Sequence, residues 1–251
     1  MTESKFVQAA TVLLDRRVAG TKAGRLDESI RPNSSEEALQ IHQQMIKLRT
    51  DHVGGWKCLR PLAEDQYIVA PIFADTLQQG EQCFLFADRG AALIEPEISF
   101  VLGADLPAQQ TDYSDAQIDQ AIASCHMALE LMQGRFADDC DPSFYEKLAD
   151  GLVNQGLFIG PEINKSYAYA ASNINITVKQ GEETQQFAGK HPNILPQNPI
   201  YWLINFMSKR GTSFKAGQAI ITGSYAGIVE VAFDQPTEIE YENLGKYTVE
   251  F

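Results

Sequence analysis

The chain has 251 residues, 44% of them hydrophobic and 21% charged, which is enough for one large core or two small ones. Its 33 acidic and 20 basic side chains leave a formal net charge of -13, which argues against the basic surface that a nucleic acid or an anionic membrane requires. A small acidic substrate remains compatible, because one bound divalent ion reverses the sign locally.

The first seventeen residues, MTESKFVQAATVLLDRR, show no basic stretch followed by an apolar one. No apolar run approaches membrane length, and a soluble cytoplasmic protein is expected. Residues 5–17 read as a helix with Phe6, Ala9, Ala10 and Leu13 on one stripe. Pro32 then breaks the chain, and a capping box from Ser34 to Glu37 opens a second helix striped by Ala38, Ile41, Met45 and Leu48. Short apolar runs punctuated by glycine and proline follow to Val101, the texture of strands and loops. Ser114 and Gln117 form another capping box, opening a helix with Ile118, Ala121, Ile122 and Cys125 on one face. "HMALELMQG" (126–134) is strand-like, and "NITVKQGEETQQFAG" reads as a hairpin turning at Gly181. In "QNPIYWLINFMSKRG", Asn198 is the expected N-cap, Pro199 the first helical residue and Gly211 the stop. Residues 219–251 return to strands, broken at Gly223, Gly227, Pro236 and Gly245. Cys58, Cys83, Cys125 and Cys140 have no CxxC spacing and read as free thiols. No linker divides the chain. The pattern predicts one α+β domain over 1–251, with a helical portion at 1–52 and a mostly β body at 53–251.

The segment "AALIEPEISFVLGADL" (91–106) is where chemistry enters. Strand alternation puts Ile94, Pro96, Ile98, Phe100 and Leu102 on an apolar face, and Leu93, Glu95, Glu97, Ser99 and Val101 on the other. Pro96 cannot donate to a ladder, so it marks an edge, a bulge or a stop in pairing. The carboxylate face is either simply solvated or relieved of its like-charge repulsion by a cation. Glu130 is a third carboxylate in an apolar strand, and an all-oxygen trio suits Mg²⁺ or Mn²⁺ rather than zinc. Spacing alone does not show that Glu130 meets the other two. Lys57, in "GGWKCL", is either a surface lysine or a buried group that moves protons or holds an anion. Asp75, in "PIFADTL", is a loop aspartate or a base. In "KAGQAIITGSYAG" (215–227), Thr222 and Ser224 either face an anion or belong to glycine turns. The four histidines have no metal-ligand spacing, and there is no triad, P-loop or dinucleotide fingerprint.

Together, "RPNSSEEALQIHQ", "GWK", "PIFADTL", "IEPEISFVLGADL", "ALEL", "GLFIG", "NPIYWLINFM", "FKAGQAIITGS" and "IEYENLGKYTVEF" run in order along nearly the whole chain. In that order they resemble the fumarylacetoacetate hydrolase superfamily, in its branch of 2-keto-4-pentenoate hydratases and 4-oxalocrotonate decarboxylases. The resemblance implies a mixed β-roll or partly closed barrel with an N-terminal helical portion. It further implies a divalent metal on Glu95, Glu97 and Glu130, and a 2-oxo acid chelated through its 1-carboxylate and 2-oxo group. Lys57 and Asp75 then take the family's proton-transfer and water- or substrate-orienting positions. The implied activity is a lyase of aromatic-catabolism type acting on a small 2-oxo or 2-hydroxydienoic acid. The alternatives are an acylpyruvate C–C hydrolase, whose histidine–glutamate dyad is not evident, and a degenerate partner subunit of an active relative. The resemblance also implies a homo-oligomer, with a complex with a pathway enzyme left open.

Several segments depart from the family pattern. Cys58, Leu59, Arg60 and Pro61 follow the lysine, Gln133 stands where aspartate is usual, and "ADGLVNQG" replaces a serine-bearing segment, leaving Asn154 and Gln155. Lys190 and His191 replace small residues. These changes point either to a pocket retuned for another 2-oxo acid, with Arg60 pairing a second carboxylate, or to weakened turnover.

Overall fold

The computed structural model describes residues 4–251, so the first three residues of the stretch read for a leader segment lie outside the described residues. Helix α1 (Lys5–Ala19) starts on the Ser4 hydroxyl and ends at left-handed Gly20. Helix α2 (Ser35–Leu48) is capped by Ser34, as its sequence predicts. The Glu37 carboxylate does not return to Ser34, however. It accepts from the Asn33 N–H at 2.8 Å and from Lys5 Nζ at 2.6 Å, tying α2 to α1. Ala9, Ala10, Leu13, Ala38, Ile41 and Met45 form one buried cluster with Phe73, Leu148 and Ala149 of the β body.

The strands β1 (Val53–Leu59), β2 (Ile68–Phe73), β3 (Leu77–Gln78) and β4 (Ala92–Leu102) follow. After helix α3 (Asp115–Ala121) come β5 (Ile122–Met132), α4 (Phe144–Ala149), β6 (Asn154–Ile163) and α5 (Lys165–Ala170). The sequence periodicity carries the third helix to Cys125, but α3 stops at Ala121. Residues from Ile122 onward pair with β4 on one edge and then with β6 on the other, and these two ladders outweigh another helical turn. The chain closes with the hairpin β7 (Asn173–Gln180) and β8 (Glu183–Lys190), turning at Gly181 as expected, then α6 (Asn198–Ser208), β9 (Ala219–Ile221), β10 (Val229–Val231), β11 (Pro236–Tyr241) and β12 (Gly245–Glu250). Gln197, not Asn198, occupies the cap position of α6. Asn198 is already helical, and its side-chain amide donates to the Asn193 carbonyl at 2.9 Å.

The main sheet runs β2-β1-β9-β4-β5-β6-β3, with β10 also on β4, and curls into half a barrel; β12-β11-β7-β8 form a second, antiparallel sheet. Mixed strand directions and segregated helices make this an α+β fold. The apolar face of β4 is core as its alternation predicts: Ile94, Ile98, Phe100 and Leu102 are all buried, each contributing about 1.5–3 kcal/mol by leaving water. No helix among the described residues is long and apolar enough to cross a membrane.

The helical portion carries a pH dependence of its own. His42 of α2 is buried, and its Nε2 lies 2.7 Å from the Leu148 carbonyl of α4. Burial pushes its pKa down from 6.5 to about 4. The neutral ring therefore contributes stability that is full above pH 6.5 and is lost as pH falls through 4, about 3 kcal/mol in all. In urea melts between pH 7 and 4, His42→Gln is expected to flatten that acid slope.

Candidate active site

The register of one strand pair builds the carboxylate cluster. Antiparallel pairing sets Glu95 opposite Glu130, and Glu97 opposite Ala128. Partners across a ladder point to the same face, as do residues two apart along a strand, so all three glutamates share one side of the sheet. Ligand oxygens of Glu95, Glu97 and Glu130 all lie within 4.8 Å of one another. Glu97 and Glu130 are buried and Glu95 is partly so.

Pro96 also finds its reason here. β5 covers one side of β4 throughout. On the other side β10 pairs at Ala92, Leu93 and Ile94, and β9 at Ser99, Phe100 and Val101, which leaves a gap between them. The residue without an N–H sits in that gap. The loop from β9 to β10 bends into it: the Gly223 N–H donates to Glu97 Oε2 at 2.6 Å, and the Tyr225 N–H to the Pro96 carbonyl at 3.1 Å. Gly223 has φ 113°, and a Cβ there would stand 2.6 Å from Leu59 and 3.1 Å from Pro192, so only glycine brings the amide this close. Behind the strands, the buried Tyr241 hydroxyl lies 2.7 Å from the Ala128 carbonyl and 3.1 Å from that of Glu97, tying the paired strands together.

Lys57 reaches the cluster from β1. Its Nζ lies 2.5 Å from Glu130 Oε1 and 3.2 Å from the Leu152 carbonyl. The Asn154 side-chain amide donates to the same Glu130 oxygen at 3.0 Å. Gly151, Leu152 and Val153 all have positive φ, at 84°, 54° and 60°. For leucine and β-branched valine that backbone costs about 1–2 kcal/mol each.

The electrostatics follow from burial. Burial first, then the charge of Glu130, raises the Glu95 pKa to about 7 against the pull of Lys57. Burial, Glu130 and Glu95 push Glu97 well above the usual carboxylate range despite the Gly223 N–H and Lys57. Glu130 Oε2 is buried with no hydrogen-bond donor among the described residues. A bare carboxylate oxygen among two more carboxylates fits a hard divalent cation. Folded Glu95 and Glu97 hold protons more tightly than the usual 4.5, so their contribution to stability is full below that pH and is lost as pH rises through the folded values. A cation reverses that loss. Mg²⁺ is expected to raise the melting temperature by several degrees at pH 8 and by much less at pH 5.5, read by differential scanning calorimetry.

The other expected residues lie differently. Asp75 is exposed and paired with Arg49 beside Asp51; among the described residues no hydrogen bond or ion pair joins it to the glutamates or Lys57. The partner that takes it, Arg49, is unremarkable in sequence. Thr222 is buried with its hydroxyl 3.4 Å from His191 Nε2. The Ser224 hydroxyl is taken up by main chain, 3.2 Å from both the Pro96 carbonyl of β4 and the Gly227 carbonyl of its own loop, and accepting from the Ala226 N–H. The anion that this loop's backbone meets is the protein's own Glu97. Arg60 lines a separate cavity of about 600 Å³ with Asn198, Tyr201 and Trp202. Its main-chain N–H donates to Asn193, and its guanidinium makes no ion pair among the described residues. Sequence reasoning missed Tyr241 and the arginines at the 150–155 turn. Tyr241 lies within a recognised closing segment, but nothing local distinguishes its hydroxyl.

No protein-family model matches the chain. The 2-keto-4-pentenoate hydratase of Paraburkholderia xenovorans is 28% identical over 159 residues, 63% of this chain and 58% of that protein, so the chain matches less than two thirds of that relative's length. The 2-hydroxyhexa-2,4-dienoate hydratase of Comamonas testosteroni is 26% identical over 232 residues, 86% of either chain. In structure, the 4-oxalocrotonate decarboxylase of Pseudomonas putida G7, complexed with magnesium and adipate, superposes with a TM-score of 0.81 at 17% identity, covering 100% of this chain and 98% of that one. The chain has the fumarylacetoacetate hydrolase fold. The sequence relatives it matches are named hydratases of 2-keto-4-pentenoate and of 2-hydroxyhexa-2,4-dienoate.

Proposed function

We propose that the chain is a divalent-metal-dependent lyase, a hydratase or decarboxylase, acting on a small 2-oxo or 2-hydroxydienoic acid. The observation that carries this reading is the trio Glu95, Glu97 and Glu130 with the Lys57 ammonium 2.5 Å from Glu130. The three glutamates would hold Mg²⁺ or Mn²⁺. When bound, such an ion supplies electrostatic stabilisation for the negative charge that develops on the 2-oxo oxygen of the acid. The chain's own groups do the rest. The Gly223 N–H and the Asn154 amide fix the Glu97 and Glu130 carboxylates. Lys57, held between Glu130 and the Leu152 carbonyl, moves a proton at Nζ. The Thr222 hydroxyl is the candidate neighbour of the acid head, and Arg60 would meet a second substrate carboxylate only by swinging its side chain out of its separate cavity toward the cluster. Assembly as a cytoplasmic homo-oligomer belongs to the same reading. The hydrolase alternative is weaker, since the bonded histidines His42, His126 and His191 meet carbonyls, a serine, a threonine and a main-chain amide rather than a glutamate.

Oxalate mimics the enolised head of a 2-oxo acid. Calorimetric titration should show it binding with Mg²⁺ present and not without. Mg²⁺-dependent loss of dienoate ultraviolet absorbance across C5 to C7 acids would then identify the substrate tail. No oxalate binding under either condition, together with a flat trace for every acid, would sink the proposal.

A further inference from the structure

Two arginines far apart in the sequence meet at one short turn. Arg135, wholly buried, donates from Nε to Asp150 Oδ1 at 2.7 Å, and from Nη2 to the Asp150 carbonyl at 2.8 Å and the Asn154 carbonyl at 2.9 Å. Arg17, buried and reaching from α1, donates to the Asp150 carbonyl at 3.1 Å and the Gln155 carbonyl at 3.4 Å. Each guanidinium therefore spans the turn from residue 150 to residue 154 or 155. The three residues between the anchors are the left-handed Gly151, Leu152 and Val153. A Cβ at Gly151 would also crowd Arg17 Nη2 at 3.0 Å, so a larger residue there would press on that guanidinium.

For stability alone the arrangement is poor. Of the two buried guanidinia Arg135 pairs with the Asp150 carboxylate while Arg17 meets main-chain carbonyls, Arg17 Nε and Arg135 Nη1 have no partner among the described residues, and well-packed apolar side chains often do as well. What planar guanidinia supply is direction, because their N–H groups form a rigid fork. The turn they clamp aims two groups at the carboxylate cluster: the Leu152 carbonyl at Lys57, and the Asn154 amide at Glu130.

We propose that Arg17 and Arg135 are positioning residues for the cation site, forcing the left-handed turn into the conformation that holds Lys57 and Glu130 in place. The inference rests on the metal-site reading above and assigns α1 a part in it. Among the described residues no hydrogen bond or ion pair joins either arginine to Glu95, Glu97 or Glu130, so the effect passes through the turn. Groups behind metal ligands typically change metal affinity by about 10- to 100-fold when altered.

Mn²⁺ titrated calorimetrically into the full-length protein tests this. The Mn²⁺ dissociation constant is expected to rise about 10- to 100-fold in Arg17→Gln and in Arg135→Lys while circular dichroism stays native. Adding Val153→Gly to Arg17→Gln should restore much of the affinity, because glycine adopts positive φ without being forced. Should Arg135→Lys fail to fold, Arg17→Gln decides, since its bonds are all to main-chain carbonyls. Unchanged Mn²⁺ affinity in folded Arg17→Gln would overturn the proposal even if its melting temperature falls, leaving the arginines a structural role only. Failure of Val153→Gly to rescue a weakened Arg17→Gln would overturn the part played by the forced turn. Wild-type protein that binds no Mn²⁺ would overturn the metal-site reading itself, and this inference with it.

Discussion

Glu97→Gln is expected to abolish Mg²⁺-dependent oxalate binding and turnover while making the cation-free protein more stable. The two effects share a cause. Glu97 is buried beside Glu95 and Glu130, and burial with like charge raises its pKa far above the ordinary range. At neutral pH the cation-free fold carries an unfavourable charge, or a proton it must acquire, and a neutral amide of the same shape removes that cost. The Gln oxygen can still accept from the Gly223 N–H, which donates at 2.6 Å in the native protein, so the loop between β9 and β10 should keep its place. A gain of about 1–2 kcal/mol in urea melts without metal is expected, together with loss of the Mg²⁺-induced rise in melting temperature. If Glu97→Gln instead lowers cation-free stability and keeps the Mg²⁺ response, the trio is not a cation site.

The same conflict between stability and site explains what could be read from the sequence. β4 was legible because alternation is a local property: Ile94, Ile98, Phe100 and Leu102 had to face the core, which left Glu95 and Glu97 together on the other side. Glu130 was legible only as a charge in an apolar strand. Its approach to Glu95, 35 positions away, depends on the β4–β5 register and on the Tyr241 hydroxyl from β11. Asp75 shows the reverse case. Its segment matched the resemblance, but its environment is decided by Arg49 and Asp51 from the loop after α2. The α3–β5 junction misled for a related reason. Ile118, Ala121, Ile122 and Cys125 fit a helical stripe, but the pairing of residues 122 onward is won in the tertiary structure. Nothing local could have revealed that two arginines, 118 positions apart, converge on residues 150–155.

Lys57→Met is expected to act in the opposite sense on the cation-free protein. Lys57 is 2.5 Å from Glu130, with their side chains 11% and 1% exposed, so the ammonium is the main compensation for a buried carboxylate. Among the described residues, removing it leaves Glu130 with the Asn154 amide alone, and breaking a buried pair from one side typically costs about 3–5 kcal/mol. Mg²⁺ should recover much of that loss, because a cation among the three carboxylates replaces the missing charge. Oxalate binding should therefore survive in Lys57→Met when Mg²⁺ is present. Turnover should not, since loss of a positioned proton-transfer group lowers rates by about 10²- to 10⁴-fold. Lys57→Arg separates charge from proton transfer: a guanidinium keeps its charge at any working pH but does not give up its proton. It should restore cation-free stability without restoring turnover. Wild-type turnover in Lys57→Arg would leave Lys57 a structural counter-ion, and the proton would have to move through another group at the cluster.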